Sequence, residues 1–273
     1  MPTPIDYTTF IHPHDKAALA ALKKIPFFDT VVKLWMKAYT ERVQHAVNMA
    51  SNLRLGPDQL PEIYSSLMDI CAKLGIEVPE LYVTMAREPN AWTFGDTKPF
   101  ITLTSGLLEM MSEREIYATM AHECGHILCH HTLYHMVAEW LKDLGDGFLG
   151  LGVAAGPLKL AFQYWSRMSE FSADRVEVYC LGETDTFIRE SLRFVGGATM
   201  PMEKLNVDAF LRQAMDYAEA LKESTYEKAL QGVYLLQQSH PFMTVRCLEV
   251  RKWFDSERNQ LPLQANAAET LSW

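Results

Sequence analysis

His122-Glu123-Cys124-Gly125-His126 dictates how much of the chain must be arranged. On a helix the two imidazoles lie one turn apart on the same face, spaced to hold one zinc ion, and the carboxylate between them reaches a water on that metal. Helical structure is supported just upstream. Ser112 and Glu115 have the spacing of a capping box, in which each side chain satisfies a free amide of the first turn. Apolar residues recur at Ile116, Met120 and Ile127 and small ones at Ala121, Cys124 and Gly125, so the helix is expected to be buried on most sides. With no proline between Ser112 and Trp140, one continuous helix is expected over that span.

A third ligand decides which kind of zinc site can form. The pattern HExxHxxGxxH would need a glycine and a histidine three and six residues after His126, where Cys129 and Thr132 stand. A glutamate from a later helix remains, and Glu170-Phe171-Ser172-Ala173-Asp174 offers Glu170 and Asp174 at i, i+4 on one face. Glu170 would complete two histidines and one carboxylate and leave a fourth position for water, as catalytic zinc requires. Asp174 could accept the spare N–H of a ligand histidine and fix its tautomer.

An HExxH helix followed by an EFxAD helix resembles the zinc metallopeptidases that include HtpX and the CAAX prenyl endopeptidases. Asn90-Ala91-Trp92-Thr93-Phe94-Gly95 is similar to that family's substrate strand, and Leu103-Thr104-Ser105-Gly106-Leu107-Leu108 to the strand-to-helix junction before its active-site helix. Ser239-His240-Pro241, with Arg246 beyond, fits as well. The resemblance runs from about Leu81 to Arg251 and implies His122, His126 and Glu170 as ligands of one zinc ion per chain, with Glu123 as general base. It also implies that Asn90, Ala91 and Trp92 lie on the strand beside which an extended polypeptide binds, held by main-chain hydrogen bonds. In the expected reaction zinc lowers the pKa of its bound water to about 7, Glu123 takes the proton and later delivers it to the leaving amine. His240 is the expected donor to the developing oxyanion, and Arg246 is placed to balance Glu170 and Asp174.

A net charge of −9 over 273 residues argues against nucleic acid or an anionic membrane as partner, since both demand a basic footprint. Five cysteines without a CxxC pattern predict reduced, mostly buried thiols. The first twenty residues lack the pattern of a secretory signal, so a cytoplasmic location is expected. Residues 147–165 form an apolar run of about nineteen residues, just long enough to span a bilayer. Pro157 beside Gly156, and Lys159 inside the run, favour a buried or surface hairpin, with peripheral membrane contact as the alternative.

The expected fold is α+β and predominantly α, a zincin-like (gluzincin) catalytic domain with a small antiparallel sheet. Helices are expected over Asp15–Lys24, Phe28–Asn52 and Leu60–Leu74, strands over Leu81–Met85, Ala91–Phe94 and Phe100–Thr104, and helices again over Val207–Lys222, Tyr226–Gln237 and Val245–Trp253. The organisation is read as an N-terminal helical lobe (1–78), a metallopeptidase domain (79–257) and a polar tail (258–273). His131 and His135 read as ordinary histidines at a helix end. Function is read as a zinc metalloendopeptidase acting on extended or unfolded chains. The alternative is a non-catalytic zinc-binding or chaperone-like protein on the same scaffold.

Overall fold

The computed structural model describes residues 5–38, 41–143, 155–197, 200–223 and 240–257. The expected helix over 226–237, the tail 258–273 and the first part of the apolar run, 147–154, lie outside the described residues. Three helices come first: α1 (Pro13–Leu22), α2 (Phe28–Ala38) and α3 (Glu41–Ser51). Strand β1 (Leu53–Leu55) and helix α4 (Pro61–Leu74) follow, the helix stopping at Gly75, whose φ of 68° supplies the left-handed cap. Strands β2 (Glu80–Thr84), β3 (Ala91–Phe94) and β4 (Phe100–Thr104) lead into α5 (Ser105–Met110) and α6 (Glu113–Leu128). Then come α7 (Thr132–Asp143), α8 (Ala155–Leu181), α9 (Asp185–Gly196), α10 (Val207–Glu223) and α11 (Met243–Glu257).

The fold is α+β and mostly helical, but its sheet is mixed where an antiparallel one was expected. Strand order is β1-β2-β4-β3, with β1 antiparallel to β2, β3 antiparallel to β4, and β2 parallel to β4. The cause is where the β3–β4 hairpin lands. The chain leaves β2, descends β3 at the sheet's edge and returns along β4 in the gap beside β2, so β2 and β4 point the same way. Among the described residues this leaves β3 with one unpaired edge.

The helix expected from Ser112 to Trp140 is two helices. Its start holds: the Ser112 amide donates to Glu115 Oε2 at 2.7 Å, and the Glu115 amide to Ser112 Oγ at 3.4 Å. The break comes at His130, whose φ is 58°. The His130 amide donates to the Ile127 carbonyl at 3.1 Å and the His131 amide to the His126 carbonyl at 2.9 Å. These are the two bonds of a Schellman cap, with histidine in the left-handed position that glycine usually takes. No proline was needed to stop the helix, which is why the sequence pattern missed the turn.

The hairpin expected over 147–165 is not what residues 155–165 form. They belong to helix α8, whose described part begins at Ala155. Leu158, Phe162 and Trp165 are buried with Phe28, Val31 and Trp35 of α2 and Met136, Val137 and Leu141 of α7. Among the described residues no helix is long and apolar enough to cross a membrane. A second, larger core joins the sheet to α4, α6, α9 and α11. All five cysteines are buried free thiols, as expected.

Candidate active site

Helices α6 and α8 must come unusually close for Glu170 to meet two histidines, and Gly125 permits it. A Cβ at this position would lie 2.9 Å from Ala173 Cα and 3.1 Å from the Ala173 carbonyl oxygen, closer than packed atoms tolerate. The smallest residues of the two motifs therefore face each other and set the helix separation. His122 Nε2 and His126 Nε2 are 3.2 Å apart, and the two oxygens of Glu170 are shared between them, Oε2 3.4 Å from His122 and Oε1 3.4 Å from His126. Ligands arranged tetrahedrally around zinc at its usual bond lengths stand about 3.3–3.4 Å from one another. All three residues are buried, and among the described residues Glu170 Oε2 finds no hydrogen-bond donor. A buried carboxylate oxygen without a donor is costly, and a cation between the three side chains removes that cost. The three groups fit a metal.

The His122 side is backed by charge. His122 Nδ1 lies 3.0 Å from Asp174 Oδ1 and 3.6 Å from Glu177 Oε2. Arg246 grips Asp174 with two hydrogen bonds, Nε to Oδ2 at 2.9 Å and Nη2 to Oδ1 at 2.5 Å, and its Nη1 is 3.7 Å from Glu170 Oε2. Burial alone would push the Asp174 carboxyl up, but Arg246 and His122 hold it below the usual range. Burial also works against a charged His122, yet Asp174, Glu170 and Glu177 outweigh it and raise the imidazole well above its ordinary value when no metal is bound. Glu170, likewise opposed by burial, is held well below the carboxylate range by His240, His122 and His126.

The His126 side is backed by neutral donors. His126 Nδ1 meets His131 Nδ1 at 3.1 Å, and His131 Nε2 meets Asp15 Oδ2 at 3.0 Å. Asp15, on α1, also accepts from Trp165 Nε1 at 2.9 Å and Ser172 Oγ at 2.7 Å. Burial pushes the Asp15 carboxyl up, but these donors bring it below its ordinary value, so it stays ionised. Burial lowers the His131 imidazole despite Asp15. A neutral His131 has one N–H, and an ionised carboxylate can only accept, so that N–H is on Nε2. His131 Nδ1 must then accept from His126 Nδ1–H, which leaves His126 Nε2 bare for a metal. His131 and His135 thus lie inside the molecule against His126, not at a solvated helix end, because the cap at His130 turns α7 back over α6.

Glu123 points into the cleft between α6 and β3. Thr93 Oγ1 lies 2.6 Å from Glu123 Oε2 and 3.1 Å from the Glu123 carbonyl oxygen, which ties the strand to the carboxylate. Asn90, Ala91 and Trp92 line the cleft along β3, Asn90 pinned to β4 through its amide to Thr104 Oγ1 at 2.9 Å. His240 is half-exposed, 3.7 Å from Glu170 Oε2. Two cavities flank the three ligand residues. One of about 250 Å³ lies toward His122, the other of about 480 Å³ toward His126, and both are bordered by Ala91, Glu123, Glu170 and His240. The structure thus brings His122, Glu123, His126, Glu170, His240, Asn90, Ala91 and Trp92 to one cleft, with Asp174 and Arg246 beside it, while Ser239 lies outside the described residues.

Several participants went unread. Glu177 falls seven residues after Glu170 and three after Asp174, on the same helical face, so periodicity pointed to it. Thr93 belongs to the strand already named. Asp15 and Glu190 carry no local signal, because only long-range packing brings them near α6.

Residues 57–254 match Peptidase family M48, and the chain belongs to that family of metallopeptidases. Among its relatives is the plastoglobule-localized metallopeptidase 48, chloroplastic, of Arabidopsis thaliana, 29% identical over 98% of this chain and 78% of that protein. Protease HtpX homologs of Bifidobacterium longum and Pelotomaculum thermopropionicum are also similar. The first is 29% identical over 54% of this chain and 58% of that protein, and the second 26% identical over 35% and 34%. The chain therefore spans less than two thirds of these HtpX homologs. No solved structure matches.

Proposed function

We propose that the chain is a zinc-dependent endopeptidase hydrolysing extended or unfolded polypeptide, with one zinc ion held by His122, His126 and Glu170. The observation that carries this reading is the convergence of His122 Nε2, His126 Nε2 and the Glu170 carboxylate, whose two oxygens each lie 3.4 Å from one of the imidazoles, with no donor to the buried Glu170 Oε2 among the described residues. Zinc bound there supplies a Lewis acid and makes water acidic enough to ionise near neutral pH. Glu123 takes the proton of the attacking water and returns it to the leaving amine, while Thr93 fixes one of its oxygens. His240, at the rim between the two cavities, donates to the oxyanion as it forms. The unpaired edge of β3 holds the substrate backbone in register across the cleft.

Metal analysis of the purified protein together with a casein cleavage assay tests this. Zinc is expected at one per chain in both wild type and Glu123→Gln, with hydrolysis lower in the variant by about 10²–10⁴-fold. Equal cleavage by the two proteins rejects the peptidase reading.

We place the chain in the cytoplasm. The name of the plastoglobule-localized relative and the exposed Leu160 and Tyr164 on α8 favour a second reading, peripheral membrane contact through 147–165. Flotation with lipid vesicles separates the two.

A further inference from the structure

We propose that the cavity beside His122 receives a lysine or arginine side chain of the substrate, adjacent to the scissile bond, with Glu177 and Glu190 as its floor. The inference rests on the peptidase reading and adds a substrate class to it.

The cavity begins at the cleft, where Ala91, Glu123, Glu170 and His240 form its mouth, and ends at two carboxylates from different helices, Glu177 of α8 and Glu190 of α9. Both are nearly inaccessible, at 2% and 5% exposure. No donor among the described residues reaches Glu177 Oε1. Glu190 meets the Thr119 hydroxyl, but that hydroxyl is also 3.0 Å from the Glu115 carbonyl and has one proton to give. Glu190 and Glu177 are hydrogen-bonded to each other, so one proton is shared between them, and beyond it the Thr119 hydroxyl and the His122 ring are the donors near these four oxygens. Burial and the neighbouring Glu177 push the Glu190 carboxyl well above the carboxylate range, a penalty that a cation alongside would reverse.

The other charges around the cavity cancel. Arg246 is committed to Asp174 through both Nε and Nη2. A divalent metal offsets Glu170 and Glu123. What remains is the pair Glu177 and Glu190, which share one proton and so carry one excess negative charge, with Glu88 at the cavity wall adding to the same sign. A second metal does not answer this excess, because Asp174 is taken by Arg246 and His122 Nδ1 by Asp174. The walls suit a long side chain with a charged tip: Phe187, Phe194 and Met243 offer apolar surface along which methylene groups pack while the head reaches the floor. A volume of about 250 Å³ accommodates one such side chain.

The test uses zinc-loaded protein and paired peptides that differ only in lysine against norleucine next to the cleaved bond, so that shape is held nearly constant and charge is not. We expect kcat/KM to favour lysine by about tenfold or more, as one buried charge pairing can supply. In Glu190→Gln the lysine-to-norleucine ratio should collapse toward one. The ratio is read within each protein, so losses of folding or metal cancel. Should the variant fail to fold, the wild-type ratio decides alone. A ratio near one in wild type, or one unchanged in Glu190→Gln, overturns the proposal. If neither peptide is cleaved, the peptidase reading is what fails, and binding of lysine hydroxamate against norleucine hydroxamate to the zinc-loaded protein still decides the pocket. Tighter lysine binding by about tenfold supports it and equal binding overturns it.

Discussion

His122 and His126 come from one helix and aim the same nitrogen at the same point, yet they are held by opposite means. Behind His122 stands a buried carboxylate neutralised by a cation, Asp174 with Arg246. Behind His126 stands a neutral imidazole that passes the bond on to a carboxylate with no cation among the described residues in its hydrogen-bond shell. Asp15 is held by the N–H and O–H groups of His131, Trp165 and Ser172. A buried charge can be kept by an opposite charge or by several aimed dipoles, and this molecule uses both within one candidate metal site. The first arrangement fails abruptly when one partner is lost. The second spreads the work over three donors.

Arg246→Ala breaks the contrast most severely. It removes the guanidinium that grips the fully buried Asp174 and leaves it only the His122 imidazole as a cationic neighbour, and the expected cost is up to about 3–5 kcal/mol of stability, measured by chemical denaturation of the metal-free protein. A loss below about 1 kcal/mol would show that Asp174 is kept by something other than Arg246.

Asp174→Asn and Asp15→Asn sharpen it. Either change weakens the hold on a ligand ring, and zinc affinity, read by competition with a chelator, should fall by about 10–100-fold. Asp174→Asn is expected at the upper end, because Asp174 touches a ligand directly, and Asp15→Asn at the lower end, because it acts through His131. Unchanged affinity in Asp15→Asn would mean that the His131 relay serves packing only.

The smallest effect is in titration. In the metal-free protein the His122 value is raised, so its contribution to stability is fully present below the unfolded value of 6.5 and fades as pH climbs through the folded one. The His131 value is lowered, so its contribution is present above 6.5 and is lost as pH falls through the folded value. Asp15, lowered from 3.8, moves with His131, its share disappearing only under stronger acid. Imidazole NMR resonances should therefore show His122 protonated above pH 6.5 and His131 neutral below it. Coincident titration of the two rings would erase the distinction.

Much of this site is legible locally. The spacing of His122, Glu123 and His126, the capping box at Ser112 and the i, i+4 pair Glu170 and Asp174 are properties of single helices, and they are found as the spacing implies. Strands β3 and β4 have the expected limits because their turn, Gly95 to Pro99, is marked by residue type. The turn at His130 was not marked, and its histidine in a left-handed conformation is tolerated because two capping bonds satisfy the helix end. His131 read as an ordinary helix-end histidine because its partner Asp15 is 116 residues away.

Sequence alone settled which side chains could meet a metal, because helical periodicity fixes what shares a face within one element. Only the tertiary structure decided what stands behind them: that α1 delivers Asp15 to the far side of His126, that α11 brings Arg246 to Asp174, and that α9 sets Glu190 against Glu177. Those meetings depend on how closely helices pack, and at Gly125 against Ala173 the separation is set by a missing side chain, whose effect exists only once the second helix is in place.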